Sequence, residues 1–267
     1  MQTALPILMY HHVSPSPGLV TVSPATFANQ MQSLFEAGWK TLGAKDLESF
    51  FRGKPLPKKS VLITFDDGYL DNLVYAHPIL AKFGQKALLF VVTSWLGDGP
   101  IRSGNNNCPD HGECKRRIAS GNADDVILRW SEVEFMRNAG TFEIHSHTHT
   151  HTRWDKQLPD SDARLEAMRS ELMRSKTALN SRLGLGATHL CWPQGYYQPE
   201  YVELAAELGY RWMYTTEEGT NLIDHDGFHL ARVVVKDKKG GWLLRRLSIY
   251  ASPLRARYYQ KLKTVLR

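Results

Sequence analysis

The sequence has only three cysteines in 267 residues, an odd and low number that does not fit a secreted scaffold built on disulfides. It also has no run of about 18 apolar residues, so no transmembrane helix is predicted. Residues 1–13 contain no basic segment, no long apolar stretch and no small-residue cleavage site, which argues against a signal peptide. We therefore expect a cytoplasmic protein.

Acidic residues are absent from residues 242–267, which contain seven arginines and lysines. Without these seven, the formal net charge would fall from +6 to −1, so the basicity is local. We interpret residues 241–267 as a basic helical tail. Apolar side chains within residues 252–267 could share one helical face and contact an anionic membrane at its inner surface, and a solvated helix is the alternative. No nucleic-acid motif accompanies the tail, so no nucleic-acid partner is expected.

Composition is otherwise that of a globular domain, with 42% apolar and 22% charged residues. Apolar segments alternate with helical patterns, which predicts βα units, a mainly parallel sheet and one barrel-sized α/β domain over residues 1–240. The predicted strands are residues 5–10, 61–65, 87–92, 142–144, 188–191, 211–214 and 230–235.

Residues 97–125 are rich in Gly, Asn, Asp and Cys and predict a long loop inserted between two of these units. Cys108, His111 and Cys114 in this segment have a spacing that could hold a small metal ion. A reduced loop without metal is the favoured interpretation.

Two adjacent carboxylates, Asp66 and Asp67, follow strand 61–65 and precede Gly68. Active sites of parallel α/β folds lie at the carboxyl ends of strands. Adjacent carboxylates repel each other, and a divalent cation bound to one would stabilise the pair. A helix cap followed by an Asp-Gly turn explains this motif equally well when it is taken alone.

Four histidines occupy alternate positions in residues 145–151, directly after strand 142–144. Two imidazoles and one carboxylate make an open site for Zn²⁺ or a similar ion, with room for water and substrate. All four could project together from an extended chain, whereas a helical turn would pair His145 with His149 or His147 with His151. The spacing leaves these alternatives open.

Two further strand ends contain groups suited to catalysis. His11 and His12 follow strand 5–10, where a histidine can act as a general acid or simply bind the backbone. Residues 191–196, Cys-Trp-Pro-Gln-Gly-Tyr, form a tight turn whose backbone N–H could stabilise an oxyanion. An ordinary Pro-Gly loop is an equally good explanation of that turn.

These motifs resemble those of a known family. Thr-Phe-Asp-Asp-Gly at residues 64–68 and Glu-Ile-His-Ser-His-Thr-His-Thr-His at residues 143–151 resemble the first two motifs of the polysaccharide deacetylases, carbohydrate esterase family four. Tyr-His-His-Val at residues 10–13 and Trp-Pro-Gln-Gly at residues 192–195 resemble the poly-N-acetylglucosamine deacetylases within it. The resemblance covers about residues 5–235 and implies a single-domain, distorted (β/α)7 barrel of the α/β class.

The resemblance also implies roles for individual residues. Zinc, with cobalt or nickel as alternatives, would be bound by Asp67, His147 and His151. The catalytic groups would be Asp66 as base, His11 as acid and Gln194 as oxyanion donor. Substrate would contact Tyr10, Trp192, Pro193, Gly195 and Arg232. No role is assigned to His12, His145 or His149 beyond orienting the ligating imidazoles.

One departure from the family pattern concerns the third motif, where an arginine usually braces the catalytic aspartate. Cys191 stands at that position, and Arg232 on a later strand is a candidate replacement. The implied reaction is metal-dependent de-N-acetylation of an N-acetylhexosamine in a lipid-linked or cell-envelope glycan precursor. The alternatives are a metal-containing sugar-binding protein without turnover, a deformylase or other amidase on a related sugar, and a phosphohydrolase.

Overall fold

The computed structural model describes residues 1–103 and 108–265, with the side chains of residues 263–265 left out of the description. Its strands are β1 (Ala4–Leu5), β2 (Ile7–Tyr10), β3 (His12–Val13), β4 (Thr21–Val22), β5 (Lys40–Thr41), β6 (Ser60–Phe65), β7 (Ala87–Val91), β8 (Phe142–Ser146), β9 (His189–Cys191), β10 (Trp212–Tyr214), β11 (Asn221–Leu222) and β12 (Val233–Val234).

Helices connect most of these strands. They are α1 (Pro24–Glu36), α2 (Ala44–Phe51), α3 (His77–Lys82), α4 (His111–Ala119), α5 (Trp130–Asn138), α6 (Trp154–Gln157), α7 (Ser161–Leu183), α8 (Pro199–Glu207), α9 (Gly240–Tyr250) and α10 (Pro253–Val265). A π-helical turn, Asn72–Ala76, leads directly into α3. None of the described helices is both long enough and apolar enough to cross a membrane.

The central sheet has eight parallel strands: seven follow in the order β10, β9, β8, β7, β6, β2 and β12, and β5 pairs with the start of β6. The sheet curls until a backbone bridge joins Tyr214 at the end of β10 to Leu230, just before β12. This bridge closes a distorted barrel. Because the seven strands are parallel, their carboxyl ends meet at one rim, and this is the rim at which such barrels place their active sites.

The observed elements confirm the seven strands predicted from the apolar segments. Capping residues near the helix ends determine where several helices begin and end. The Ser23 hydroxyl caps α1 by accepting a hydrogen bond from the Thr26 N–H, and Asp160 caps α7 by accepting one from the Ala163 N–H. Gly184 ends α7 in the left-handed conformation, with φ of 66°.

The segment predicted as an inserted loop contains the helix α4. Asp110 caps this helix by accepting a hydrogen bond from the Glu113 N–H. The helix has nine residues and buries only Cys114, so the sequence offers too few apolar positions for a helical period to be recognised. Cys108 and Cys114 are free and buried. Among the described residues, neither belongs to a metal-sized cluster with His111.

The first half of the basic C-terminal segment packs into the domain. Helix α9 buries Leu243, Leu247 and Tyr250, and the Gly240 N–H at its start donates a hydrogen bond to the side chain of Asn29 in α1. Helix α9 therefore shares the core of the barrel. The boundary predicted at residue 240 had assigned this helix to a separate tail. Helix α10 continues along the surface.

Substituting Leu247 tests whether α9 is an integral part of the domain. Leu247 is fully buried, so Leu247→Ala should lower the free energy of unfolding by about 2–5 kcal/mol. Leu254 in α10 is 82% exposed, so the matched change Leu254→Ala should alter it by less than about 0.5 kcal/mol. Urea denaturation of both variants measures these effects, and equal small losses would show that α9 is peripheral.

Candidate active site and metal centre

The carboxyl ends of four barrel strands supply the polar groups of one cavity of about 480 Å³. This volume lies within the usual range for small-molecule sites. The polar lining residues at these strand ends are His11 after β2, Asp66 and Asp67 after β6, His147 and His151 after β8, and Gln194 after β9, and His111, Lys115 and Thr216 add further polar groups. The walls are largely apolar and aromatic, formed by Leu19, Val20, Tyr69, Trp95, Ile118, Ala119 and Trp192.

Asp67, His147 and His151 come together in the geometry of a cation site. Oδ1 of Asp67 lies 3.3 Å from Nε2 of His147 and 3.5 Å from Nε2 of His151. Tetrahedral zinc ligands at about 2.0–2.2 Å from the ion lie about 3.3 Å from one another, so these distances suit one shared ion. The same Oδ1 is buried without a hydrogen-bond partner among the described residues. These three residues therefore fit the metal that the resemblance implied.

The protonation of Asp67 and His151 also suits a cation. Burial disfavours the charged form of Asp67, but the two neighbouring histidines outweigh it and hold the pKa of Asp67 well below its usual range. Burial lowers the pKa of His151 to about 4 against the opposing charge of Asp67. A carboxylate and a neutral imidazole are the forms that coordinate divalent metals.

Hydrogen bonds from outside the cluster set the orientation of the first imidazole. Nδ1 of His147 lies 2.8 Å from the backbone carbonyl oxygen of Cys191, at the end of β9. In a neutral His147 ring, an N–H at Nδ1 would donate to that carbonyl and leave Nε2 unprotonated toward Asp67, which is the tautomer that binds a metal.

Glu171 in α7 holds the loop that carries the second imidazole. Its Oε2 accepts hydrogen bonds from the backbone N–H groups of His149 and Thr150, and its Oε1 accepts one from the Thr150 hydroxyl. The carboxylate is 3% exposed, and its position in the middle of a long helix gave no sequence signal for this role. The His149 side chain is directed to Thr93, with Nδ1 2.9 Å from the Thr93 hydroxyl, and does not line the cavity.

Four non-glycine residues of the site have positive φ. The angles are 75° at Asp67, 64° at Thr148, 63° at His151 and 55° at Gln194. This left-handed conformation is unfavourable for most side chains and concentrates at functional sites. At Asp67 it turns the chain sharply after β6, so that both adjacent carboxylates line the same cavity.

Arg232 binds Asp66 through a two-pronged ion pair, with Nη1 2.7 Å from Oδ1 and Nη2 2.8 Å from Oδ2. Its remaining N–H groups donate to the Thr215 carbonyl, the Thr64 hydroxyl and the sulfur of Cys191. All five guanidinium donors are therefore used inside the protein. The side chain is fully buried and does not line the cavity.

The substrate-binding role predicted for Arg232 does not fit this geometry, because no donor remains for a ligand. Arg232 instead braces the aspartate, as the departure at Cys191 led us to consider. Burial opposes the charge of Asp66, but Arg232 and His11 hold the pKa of this carboxyl below its usual value. A second cluster, Asp66 with His147 and Cys191, also has metal-like spacing. It is the poorer site because Arg232 occupies both oxygens of Asp66 and burial raises the pKa of the Cys191 thiol.

His11 and the backbone of Gln194 line the cavity close to the carboxylates. Nε2 of His11 is 3.7 Å from Oδ2 of Asp66, and its side chain is 17% exposed. Burial lowers the pKa of His11, although both aspartates oppose the shift. The Gln194 N–H has no acceptor among the described residues. Gly195 lets this turn approach its neighbour, since a Cβ there would lie 2.0 Å from Oγ1 of Thr216.

The other predicted substrate contacts divide into two groups. Trp192 and Gly195 line the cavity. Tyr10 does not: it is 2% exposed, its ring stacks on Phe65, and its hydroxyl donates a hydrogen bond to Gln30. Pro193 is also buried away from the lining. Tyr10 and Pro193 are therefore core residues in this structure.

Helix α4 supplies a cavity wall that the sequence did not indicate. His111, Lys115, Ile118 and Ala119 all line the cavity from this helix. His111 also contacts His12, with Nδ1 3.1 Å from Nε2 of that buried residue.

The rim of this parallel barrel brings together an unpaired carboxylate, two imidazoles and a second carboxylate that is braced by an arginine. This is the arrangement of a hydrolase with a divalent cation site. A sequence model of the polysaccharide deacetylases matches residues 53–213. The chain belongs to the polysaccharide deacetylase family, whose members are metal-dependent hydrolases of amide bonds in acetylated sugars.

Individual relatives agree with this assignment. YxkH of Bacillus subtilis (strain 168), provisionally named a polysaccharide deacetylase, is 29% identical over 238 residues, which cover 89% of this chain and 73% of YxkH. The poly-beta-1,6-N-acetyl-D-glucosamine N-deacetylase of Staphylococcus epidermidis is 22% identical over 221 residues, covering 81% of this chain and 68% of that protein.

Solved structures share the fold. The Streptococcus pyogenes deacetylase PplD, in complex with acetate, matches with a TM-score of 0.75 and 23% identity over 95% of this chain and 100% of PplD. IcaB from Ammonifex degensii matches with a TM-score of 0.74 and 24% identity over 93% of this chain and 97% of IcaB. At these identities the likeness shows the distorted (β/α)7 barrel fold alone.

The buried ion pair predicts a specific pattern of stability losses. Arg232→Met leaves the Asp66 charge buried without a partner and should lower the free energy of unfolding by about 3–5 kcal/mol. The double variant Asp66→Asn/Arg232→Met should lose clearly less, because no unpaired charge remains. Urea denaturation of both variants provides the measurement. Equal losses would mean that the charge pairing is not what makes Arg232 important.

Proposed function

We propose that this protein removes the acetyl group from an N-acetylhexosamine by metal-dependent hydrolysis, with Asp67, His147 and His151 as the metal ligands. The observation that carries the proposal is the unpaired Oδ1 of Asp67 facing two imidazole nitrogens beside a separate, braced carboxylate. Zinc is the proposed ion, since a mixed nitrogen and oxygen donor set with an open position suits it, and cobalt or nickel would also suit this set.

The ion would polarise the acetyl carbonyl and lower the pKa of a water molecule that attacks it. Asp66 takes a proton from the attacking water, since Arg232 keeps this carboxylate charged and fixed at the cavity wall. The Gln194 N–H donates a hydrogen bond to the oxygen that becomes negative when the carbonyl carbon turns tetrahedral.

His11 completes the reaction by protonating the sugar nitrogen as the carbon–nitrogen bond breaks. Burial favours its neutral form before the reaction. Its Nε2 is 3.7 Å from Oδ2 of Asp66, so the proton that Asp66 removes from water has a short path to His11. Acetate leaves with the water oxygen, and the free amine leaves with the proton.

The competing functions have less support. The best argument for a sugar-binding protein without turnover was that the third motif lacks its arginine. Arg232 supplies the missing guanidinium, because it binds both oxygens of Asp66. A two-metal phosphohydrolase would need a second cation site. The other metal-like cluster among the described residues shares His147 with the first and has its carboxylate occupied by Arg232. A formyl group in place of acetyl would require the same chemistry.

The substrate class that we propose is an amino sugar in a lipid-linked or cell-envelope glycan precursor. The name of the staphylococcal relative specifies poly-β-1,6-N-acetylglucosamine as the substrate of that protein. Trp95 and Trp192 offer aromatic walls suited to a sugar ring, and Lys115 adds a cation at the cavity. A cytoplasmic site of action at the inner face of the membrane stays part of this proposal.

Two variants separate catalysis from metal binding. Asp66→Asn should reduce acetate release by about 10²–10⁴-fold, because the base is lost, while the metal content stays near one ion per chain. His147→Ala should lose both activity and metal. The assay follows acetate from free, nucleotide-linked and polyprenyl-linked N-acetylhexosamines after chelation and addition of Zn²⁺, Co²⁺ or Ni²⁺, with metal content measured by elemental analysis.

His225 is exposed and lies outside the cavity. His225→Ala is therefore a suitable control, which should keep both the deacetylase activity and the metal content. Full activity of Asp66→Asn would contradict the assigned base. Retention of a tightly bound ion by His147→Ala would contradict the ligand set.

We further propose that α10 contacts an anionic membrane surface and so brings the cavity near lipid-linked substrate. Leu254, Tyr258 and Leu262 recur every four residues on one face and are 82%, 67% and 42% exposed. Arg255, Arg257 and Lys261 are exposed on the same helix, which has no acidic residue. Apolar and basic side chains together are the combination that binds anionic lipid surfaces.

Vesicle sedimentation tests this contact. The full chain should sediment with vesicles that contain anionic lipid, and Leu254→Ser/Tyr258→Ser should weaken binding by about tenfold or more, because two apolar side chains are lost. Phe35→Ser/Met173→Ser removes two comparably exposed apolar side chains from other helices and serves as the control. Equal binding by both double variants would reject a role for α10.

A further inference from the structure

A line of three polar side chains runs from the protein interior to the active-site cavity. Oδ2 of Asp71 lies 2.6 Å from Nδ1 of His12, and Nε2 of His12 lies 3.1 Å from Nδ1 of His111. Asp71 and His12 are buried, and the ring of Tyr69 stacks on His12 with 3.7 Å between centroids. Neither Asp71 nor His12 has a place in the reaction proposed above.

The donors and acceptors in this line have a fixed direction. Oδ1 of Asp71 already accepts hydrogen bonds from the Val13 N–H and from the side chain of Asn72, so Oδ2 remains to accept from His12. A neutral imidazole donates from one nitrogen only. When the His12 ring is neutral, its Nδ1 donates to Asp71 and its Nε2 accepts from Nδ1 of His111, which also lies 3.5 Å from the Tyr69 hydroxyl.

The end of the line is open to the cavity. With its proton on Nδ1, His111 has an unprotonated Nε2, and this atom has no hydrogen-bond partner within residues 1–103 and 108–265. The imidazole lines the cavity from α4, together with Lys115 and Ile118. Burial lowers the pKa of His111 to about 4, which agrees with a neutral ring.

We infer that Asp71 and His12 position His111 so that its Nε2 accepts a hydrogen bond from a hydroxyl group of the sugar substrate. This inference rests on the proposed function for the identity of the ligand, but the direction of the relay does not depend on it. His111 lies on α4 and not on one of the strand ends proposed to hold the acetamide. It therefore acts on the recognition of the sugar and not on bond cleavage.

The relay predicts the protonation state of each ring nitrogen, which nuclear magnetic resonance reads directly. In the zinc-loaded full chain labelled with ¹⁵N-histidine, His111 should be protonated at Nδ1 and unprotonated at Nε2. Spectra of His111→Gln assign its signals. A proton on Nε2, or a charged ring at neutral pH, would overturn the relay.

Asp71→Asn reverses the relay in a defined way. The N–H groups of Val13 and Asn72 require an acceptor oxygen at the Oδ1 position, so the new amide must place its NH₂ group toward His12. His12 then accepts at Nδ1 and donates from Nε2, and His111 becomes protonated at Nε2. An unchanged tautomer of His111 in this variant would contradict the inference.

Binding tests the ligand. A β-1,6-linked tetramer of N-acetylglucosamine is titrated into the Asp66→Asn/Arg232→Met protein, which lacks the proposed base, keeps no unpaired buried charge and should bind without turnover. Adding His111→Phe should weaken binding about tenfold, because the hydroxyl loses its acceptor on entering the cavity. His111→Gln, which keeps an acceptor near the Nε2 position, should recover most of the affinity.

The outcomes distinguish this inference from the proposed function. Failure of the Asp66→Asn/Arg232→Met protein to bind the tetramer contradicts the proposed substrate and with it the ligand assigned to His111. Binding that His111→Phe leaves unchanged contradicts the inference alone. The exposed control His225→Phe should match the parent in both experiments.

Discussion

The ion pair between Asp66 and Arg232 fixes the arrangement on which the rest of the site depends. Both oxygens of Asp66 and all five donors of Arg232 are used, at positions 166 residues apart in the chain. An unpaired charge at either position would be unstable in a fully buried environment. Because Arg232 holds one aspartate, only the adjacent aspartate is free to share an ion with His147 and His151.

Two neighbouring carboxylates thus perform different tasks because their surroundings differ. Successive side chains of a strand point to opposite faces, which would send Asp66 and Asp67 apart. The left-handed conformation of Asp67 breaks this alternation at the end of β6 and keeps both in one cavity. Local backbone strain at the rim therefore brings the proposed proton acceptor and the proposed metal ligand together in consecutive positions.

Much of the fold was predictable, because buried parallel strands are continuous apolar runs bounded by turns. The polar groups at the strand ends were predictable for the same reason, since they follow those runs directly. The pairing of His147 with His151 was not decided by spacing: it depends on the turn after β8, which Glu171 holds from a distant helix.

Other assignments failed where they required knowledge of side-chain direction or of contacts distant in sequence. Tyr10 is the last residue of β2, and His11 follows it directly. Because successive side chains of a strand point to opposite faces, the Tyr10 ring packs in the core against Phe65. The bracing role of Arg232 depends on the closure of the barrel, which no local pattern encodes. His111 was considered only as part of a cysteine motif, because helix α4 is too short and polar to be recognised.

The pairing of β12 with β2 gives the barrel a particular order of assembly during synthesis. Strand β2 cannot pair with β12 until the last part of the chain has been synthesised. Asp66 leaves the ribosome 166 residues before its partner Arg232. At about 5–20 residues per second, this interval is on the order of 10–30 s. The nascent chain therefore carries a complete set of metal ligands, Asp67, His147 and His151, well before the charge of Asp66 can be buried. A chain released before Arg232 would therefore remain an open barrel in which the charge of Asp66 has no partner.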